Sequence, residues 1–271
     1  MPIIMNHSNA NRIERSEVDL LKSKLLAIKS LRDNPMGVEV ESFGQTYAFY
    51  SSEMPGPAFN VVKGLSEEDA EQIPAIMDFY QQRNMEVQFD LTPMNATRTL
   101  LQSLDKAGFQ QIGFHSVLYQ STDEINVASI DEQRIYIREL HENEFDTYAM
   151  IYTEGFGLPS FLRDGVAKNN RVLFHKSGWS FYLATYKSEP AGIAVMFTQD
   201  GITTLYIATT IPTMREYGIH SQLIKRRLMQ AKISGSELVV GQAAFASTSQ
   251  HNMERAGLNM AYTKAIWGRS R

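Results

Sequence analysis

Arg215-Glu216-Tyr217-Gly218-Ile219-His220 joins two segments of opposite character. A β-type run from Ile202 to Thr210 precedes it, closing at Pro212, and a helix-type run from Ser221 to Ala231 follows. A strand that empties through a glycine turn into a helix start builds an anion site. The first N–H groups of a helix have no intrahelical partner, and the helix dipole adds positive potential there. The spacing therefore predicts a phosphate-bearing ligand on this turn.

Composition narrows the chemistry. The chain has 271 residues and no Cys, which excludes disulfides, thiolate catalysis and Cys-ligated metals. Its six His residues are scattered, with no pair at metal-ligand helical spacing, so no metal is expected. Hydrophobic residues make up 43% and charged residues 21%, a balance that supports a packed core. No apolar run approaches the roughly 20 residues that span a bilayer, and no basic segment leads into an apolar core. The expected setting is cytoplasmic, with no membrane partner. A net charge of −4 and the lack of a basic tail argue against nucleic acid. The charge is uneven: residues 1–125 hold 10 Lys and Arg against 17 Asp and Glu, whereas residues 126–271 hold 16 against 13. The half with the phosphate turn is the electropositive one.

The elements that position the turn fall into two halves, 1–125 and 126–271, parted at the polar stretch Ser121-Thr122-Asp123-Glu124. The first half predicts a helix from about Arg12 to Leu31, then strands near 37–42 and 47–51. The second predicts strand 134–138, helix 142–154, strands 180–186, 191–197 and 202–209, a helix after Gly218, strand 237–243, helix 247–256 and strand 260–267. A weak internal repeat relates the halves. Leu104-Asp105-Lys106-Ala107-Gly108-Phe109 parallels Met253-Glu254-Arg255-Ala256-Gly257-Leu258, and each glycine suits a left-handed helix cap. Val87–Leu91 parallels Leu238–Gln242, and Phe59–Val62 parallels Leu205–Ala208. Where the second half has its phosphate turn, the first reads Gly64-Leu65-Ser66-Glu67-Glu68-Asp69-Ala70-Glu71. Ser66 and Asp69 are spaced as a capping box, and the carboxylates fill the anion site with the chain's own charge.

This order of elements, with Arg215-x-x-Gly218-x-His220 and the closing Asn252–Leu258 segment, resembles the GNAT superfamily of acetyl-CoA-dependent N-acetyltransferases. The family signature is Gln/Arg-x-x-Gly-x-Gly/Ala, so His220 replaces a small residue. The resemblance covers roughly residues 134–267. It implies a mixed-sheet α/β fold of two tandem GNAT-like domains, the N-terminal one degenerate. It also implies that Ala208, Thr209 and Thr210 offer backbone to the pantetheine arm like an added strand. The segment Arg215, Glu216, Tyr217, Gly218, Ile219, His220 and Ser221 would hold the pyrophosphate, with Gly218 allowing close backbone approach. Ser249 and Asn252 would contact the cofactor from the closing helix. Lys225-Arg226-Arg227 reads either as a reach toward the 3′-phosphate or, more simply, as a solvated helix face.

The implied chemistry is direct acetyl transfer from acetyl-CoA to a primary amine of a small molecule or peptide, and a homodimer is compatible with it. The family's Tyr acid, four residues before the closing glycine, is here Met253, and no carboxylate lies on the strand 202–210. Tyr206, Glu154 and His251 remain as acid–base candidates, with Tyr262 beside them. An ordered-water relay needs none of them. Tyr152, Phe156, Phe161 and Trp179 are candidates for an apolar acceptor pocket. The rival expectation is a non-catalytic acyl-CoA-binding module.

Overall fold

A computed structural model describes residues 4–54, 56–126 and 134–269. In chain order its elements are α1 (His7–Lys29), β1 (Val38–Phe43), β2 (Thr46–Ser51), β3 (Val61–Lys63), α2 (Ile73–Gln81), β4 (Phe89–Leu91), α3 (Arg98–Lys106), β5 (Phe109–Ser121), β6 (Ile135–Glu139), α4 (Phe145–Phe156), α5 (Arg163–Arg171), β7 (Trp179–Tyr186), β8 (Glu189–Gln199), β9 (Ile202–Thr210), α6 (Ile219–Ile233), β10 (Leu238–Ala243), α7 (Thr248–Arg255) and β11 (Asn259–Arg269). The class is mixed α/β. Among the described residues, no helix is long and apolar enough to cross a membrane.

The chain forms two compact units: the first comprises Met5–Val117 and the segment from Ala261, and the second comprises Leu118–Met260 together with Ile4. This moves both limits of the 1–125 and 126–271 division. Strand register is the reason. Ala265, Ile266 and Trp267 pair antiparallel with Leu91, Asp90 and Phe89, and Trp267 packs on the first unit's core around Phe89 and Phe109. β5 continues past Val117, and its Leu118 joins the core of the second unit.

In the first unit the strand order is β1-β2-β3-β4-β11-β5. The side chain of Asn6 accepts a hydrogen bond from Asn9 N, starting α1 five residues before the predicted Arg12. Gly108 takes φ +83° just after α3, the left-handed cap its sequence predicts. The capping box at Ser66 does not form. Ser66 makes no side-chain cap bond, and the Asp69 carboxylate instead accepts from Gln45 N, Thr46 N and Thr46 Oγ1 at 2.8–2.9 Å. Three donors converging on one carboxylate outweigh a single local cap.

In the second unit the order is β5-β10-β9-β8-β7-β6. The turns β7–β8 and β8–β9 place Lys187 and Ser188, then Asp200 and Gly201, at positive φ, as two-residue hairpins of right-twisted strands require. α6 buries two apolar sets. Ile219 and Leu223 pack with Tyr182, Ala194 and Met196, while Ile224, Leu228 and Ala231 pack with Leu205, Val239 and Met253. Each buried Leu or Ile contributes about 2 kcal/mol, so packing fixes where the N-terminus of α6 points.

Candidate functional site

The site begins where a ladder stops. β9 pairs in parallel with β10 from Ile202↔Leu238 to Leu205↔Gly241, whereas its other edge stays paired with β8 as far as Thr210↔Gly192. The β10-facing edge of β9 therefore opens before Ala208, Thr209 and Thr210. A second irregularity lies at the same point. Val195 faces Ile207 and Met196 faces Leu205, so Tyr206 is the extra residue of a β-bulge, a device that bends a strand and re-aims its side chains. Close approaches hold the opening on both sides. A Cβ on Gly155 of α4 would lie 2.2 Å from Thr209 Oγ1, and one on Gly241 of β10 would lie 2.4 Å from Met253 Sδ of α7.

After β9, a short 3-10 turn, Pro212–Met214, delivers the chain to Arg215 in extended conformation. Glu216 and Gly218 both take left-handed backbone, at φ +71° and +83°. For Glu216 this costs about 1–2 kcal/mol, and its side chain is exposed. Alternating hands of this kind turn successive N–H groups inward as an anion nest. The helix ladder begins with Gln222 N donating to Gly218 O at 3.0 Å. The N–H groups of Ile219, His220 and Ser221 therefore have no intrahelical carbonyl. A Cβ on Gly218 would meet nothing within 4 Å, so the glycine is required for its φ.

Strand opening, nest and the start of α7 enclose a cleft of ≈ 530 Å³. It brings together Ala208, Thr209, Thr210, Arg215, Glu216, Gly218, Ile219, His220, Ser221, Ser249 and Asn252, with Met214 and Thr248 added. Tyr217 is not among them; its ring stacks on Tyr186 at 4.6 Å. The cleft suits a phosphorylated, amide-rich ligand: free helix amides at one end, an open strand edge at the other, and a buried Thr210 Oγ1 that has no hydrogen-bond partner among the described residues. Arg215 donates from Nη2 to Gly155 O at 2.8 Å, tying the turn to α4. His220 Nδ1 lies 3.1 Å from Asn252 Nδ2. Burial, reinforced by the Arg227 charge, pushes the His220 imidazole down to about 4, so the ring is neutral at neutral pH.

The acid–base candidates disperse. Tyr206 is the half-buried bulge residue, packed edge-on to Trp179, and burial pushes its phenol up. Glu154 is on the exposed face of α4, ion-paired with Arg163 at 2.9 Å. His251 is exposed on α7. Neither Glu154 nor His251 lines the cleft. Tyr262 belongs to the first unit. Met253, where the sequence resemblance would place an acid, is buried in the core. Of the aromatic candidates, Trp179 is buried and Tyr152 packs between Tyr148 and Phe156. Phe156 and Phe161 are exposed, Phe161 by 80%.

One buried cation lies outside the sequence expectations. Neither the phosphate reach nor the solvated face holds for Arg227, which is 2% exposed. Its Nε donates to Leu223 O at 3.1 Å, and its Nη1 donates to Val195 O at 3.1 Å and Ile207 O at 3.2 Å. The only local signal is that 220, 223, 224 and 227 share one helix face.

The first unit has a different arrangement in the matching segment. Gly64 is left-handed, but a 3-10 helix follows, Glu67–Gln72, with three carboxylates in its first turn. β3 and β4 pair only at Val62↔Phe89. Beyond that point Lys63 meets Asp90 at 2.6 Å, and Lys264 meets Glu17 at 2.6 Å.

No protein-family model matches the sequence, and no curated protein matches it. Solved structures do. A GCN5-related N-acetyltransferase from Kribbella flavida superposes with a TM-score of 0.67 at 12% identity, over 95% of each chain. A tandem GNAT protein from the clavulanic acid biosynthesis pathway gives 0.62 at 11% identity, over 99% of this chain and 96% of its own. A putative GNAT-family acetyltransferase from Novosphingobium aromaticivorans gives 0.52 at 13% identity, over 92% and 97%. The chain has the fold of the GCN5-related N-acetyltransferases.

Proposed function

We propose that this protein is a cytoplasmic N-acetyltransferase that moves an acetyl group from acetyl-CoA to a primary amine of a small molecule or peptide. The observation that carries the reading is the left-handed Gly218 nest feeding α6 beside the opened edge of β9. In this reading the amides of residues 216–221 hold the diphosphate, and the free edge at Ala208–Thr210 pairs with the pantetheine amides. Ser249 and Asn252 close the far wall. The amine nitrogen attacks the thioester carbon; the C–N bond forms, the C–S bond breaks, and CoA leaves as thiolate. The surplus ammonium proton passes to water. Among the residues lining the cleft, Glu216 is the only carboxylate and His220 the only imidazole. Holding both substrates in line is then the larger share of the rate enhancement.

The first unit, in the same reading, is a GNAT-like half that has lost its cofactor. Asp69 is committed to the β1–β2 turn, and the Lys63–Asp90 ion pair fills the gap beyond Val62 and Phe89. A second reading, a non-catalytic acyl-CoA-binding module, draws support from the burial of Met253 where an acid would stand. Thiol release from acetyl-CoA across an amine panel, run beside calorimetry of CoA binding, separates the two. Binding with turnover supports the enzyme, binding without turnover for any amine supports the module, and no binding removes both.

A further inference from the structure

We infer that Arg227 is a positioning residue for this chemistry: a buried cation without a counter-ion among the described residues, which locks the β9 bulge and lends its positive charge to the negative charge developing on the departing sulfur. The inference rests on the acetyl-transfer reading above.

Three observations lead to it. The guanidinium joins the two carbonyls that flank the bulge, Val195 O on β8 and Ile207 O on β9, beside the extra residue Tyr206. It thereby spans the point at which β9 leaves β10 and opens the cleft. Second, the charge is uncompensated. Among the described residues, every hydrogen-bond acceptor of Arg227 is a backbone carbonyl, and the group that favours its charge is the Tyr182 phenol, which burial keeps neutral. Burial pushes the guanidinium down to about 9, which still leaves it charged at neutral pH. Third, the charge reaches the cleft wall. His220 lies two helical turns before Arg227 on the same face of α6, lines the cleft, and is held neutral in part by the Arg227 charge.

A buried ion without a partner is costly, whereas an aliphatic side chain at a core helix position is not. Leu223 and Leu228 on the same helix are such residues. A structural plug for the bulge needs only N–H donors. A positive charge beside a site that releases a thiolate does more, because its attraction is stronger for the transition state than for the neutral thioester.

The test separates charge from hydrogen bonding. Arg227→Gln keeps an N–H donor and removes the charge; Arg227→Lys keeps the charge and loses the fork. In each, the thiol of bound CoA is titrated by its ultraviolet thiolate absorbance, and the His220 imidazole by NMR, assigned with His220→Gln. In Arg227→Gln the bound thiol should titrate about one unit higher than in wild type, a tenfold smaller thiolate fraction, and His220 should titrate above about 4. Arg227→Lys should stay near wild type in both. If Arg227→Gln matches wild type, or if Arg227→Lys shifts as far as Arg227→Gln, the charge has no such role and the inference falls. If Arg227→Gln does not fold, Arg227→Lys decides alone: a displaced thiol titration overturns the inference, an unmoved one supports it. Wild-type protein that fails to bind CoA overturns the acetyl-transfer reading and this inference with it, an outcome distinct from CoA binding that ignores residue 227.

Discussion

Replacing Gly218 by Asp puts a carboxylate into the proposed diphosphate nest at little cost to the fold. Gly218 sits at φ +83°, and a Cβ there meets nothing within 4 Å, so the cost is conformational. Left-handed backbone costs a side-chain-bearing residue about 1–2 kcal/mol, least for Asp and Asn. In a chain of this size that lowers the melting temperature by about 2–4 °C per kcal/mol. The electrostatic cost is larger. Like charges 4 Å apart repel by about 1 kcal/mol in water and about 4 kcal/mol at an effective dielectric of 20. A half-enclosed cleft lies between these limits, and two phosphate charges bring the penalty to about 3 kcal/mol, a loss in CoA affinity of about 100-fold. Gly218→Asn has nearly the same shape and backbone demand without the charge, and should lose less than tenfold. Calorimetric titration of CoA into wild type and both variants, with circular dichroism melts alongside, measures both terms. Gly218→Asp binding CoA as tightly as wild type, or Gly218→Asn losing as much as Gly218→Asp, would refute an anion site built from these amides.

Three further perturbations probe the surroundings. Gly155→Ala drives a methyl into Thr209, whose Oγ1 and Cγ2 would lie 2.2 and 2.7 Å away; chemical denaturation should show a loss of about 1–3 kcal/mol, with weaker CoA binding as β9 shifts. Asp69→Ala strands three donors at the β1–β2 turn and should destabilise the protein by about 3 kcal/mol while leaving CoA affinity unchanged; lost affinity would mean that the cofactor site lies in the first unit. Burial and the neighbouring Glu17 carboxylate push Glu14 up to about 7 from 4.5. The native state therefore holds its proton where the unfolded chain has released it, so this contribution is complete below pH 4.5 and disappears as pH rises through about 7. Glu14→Gln should flatten that decline, gaining about 2 kcal/mol on wild type between mildly acid and mildly alkaline conditions; denaturation curves at both extremes that move in parallel would exclude it.

Elements with a local cause are legible in the sequence. The hairpins at Lys187–Ser188 and Asp200–Gly201 and the caps at Gly108 and Gly257 follow from residues that tolerate positive φ. The strands β7, β8 and β9 follow from apolar runs between those turns. The cleft residues are legible for the same reason, since a strand, a glycine turn and a helix start lie within one short stretch of chain. What depends on distant partners is not. α5 buries only Ala167, Asn169 and Asn170, too few apolar positions to set a helical period. The bulge at Tyr206 exists only in the register between β8 and β9. Arg227 reads as a surface cation because nothing nearby in sequence reveals the carbonyls of Val195 and Ile207. Ser66 and Asp69 have the spacing of a cap, but the amides of the β1–β2 turn, more than twenty residues earlier, take the carboxylate.

The position of β11 has a consequence for truncation. The segment Leu118–Met260 is contiguous in sequence, whereas the first unit draws on residues from both sides of it. Ala265, Ile266 and Trp267 pair beside Phe89–Leu91 in the first unit's sheet. Protein cut short after Met260 should therefore keep α6 protected from protease while leaving β4 open to cleavage, so that the two units fail separately.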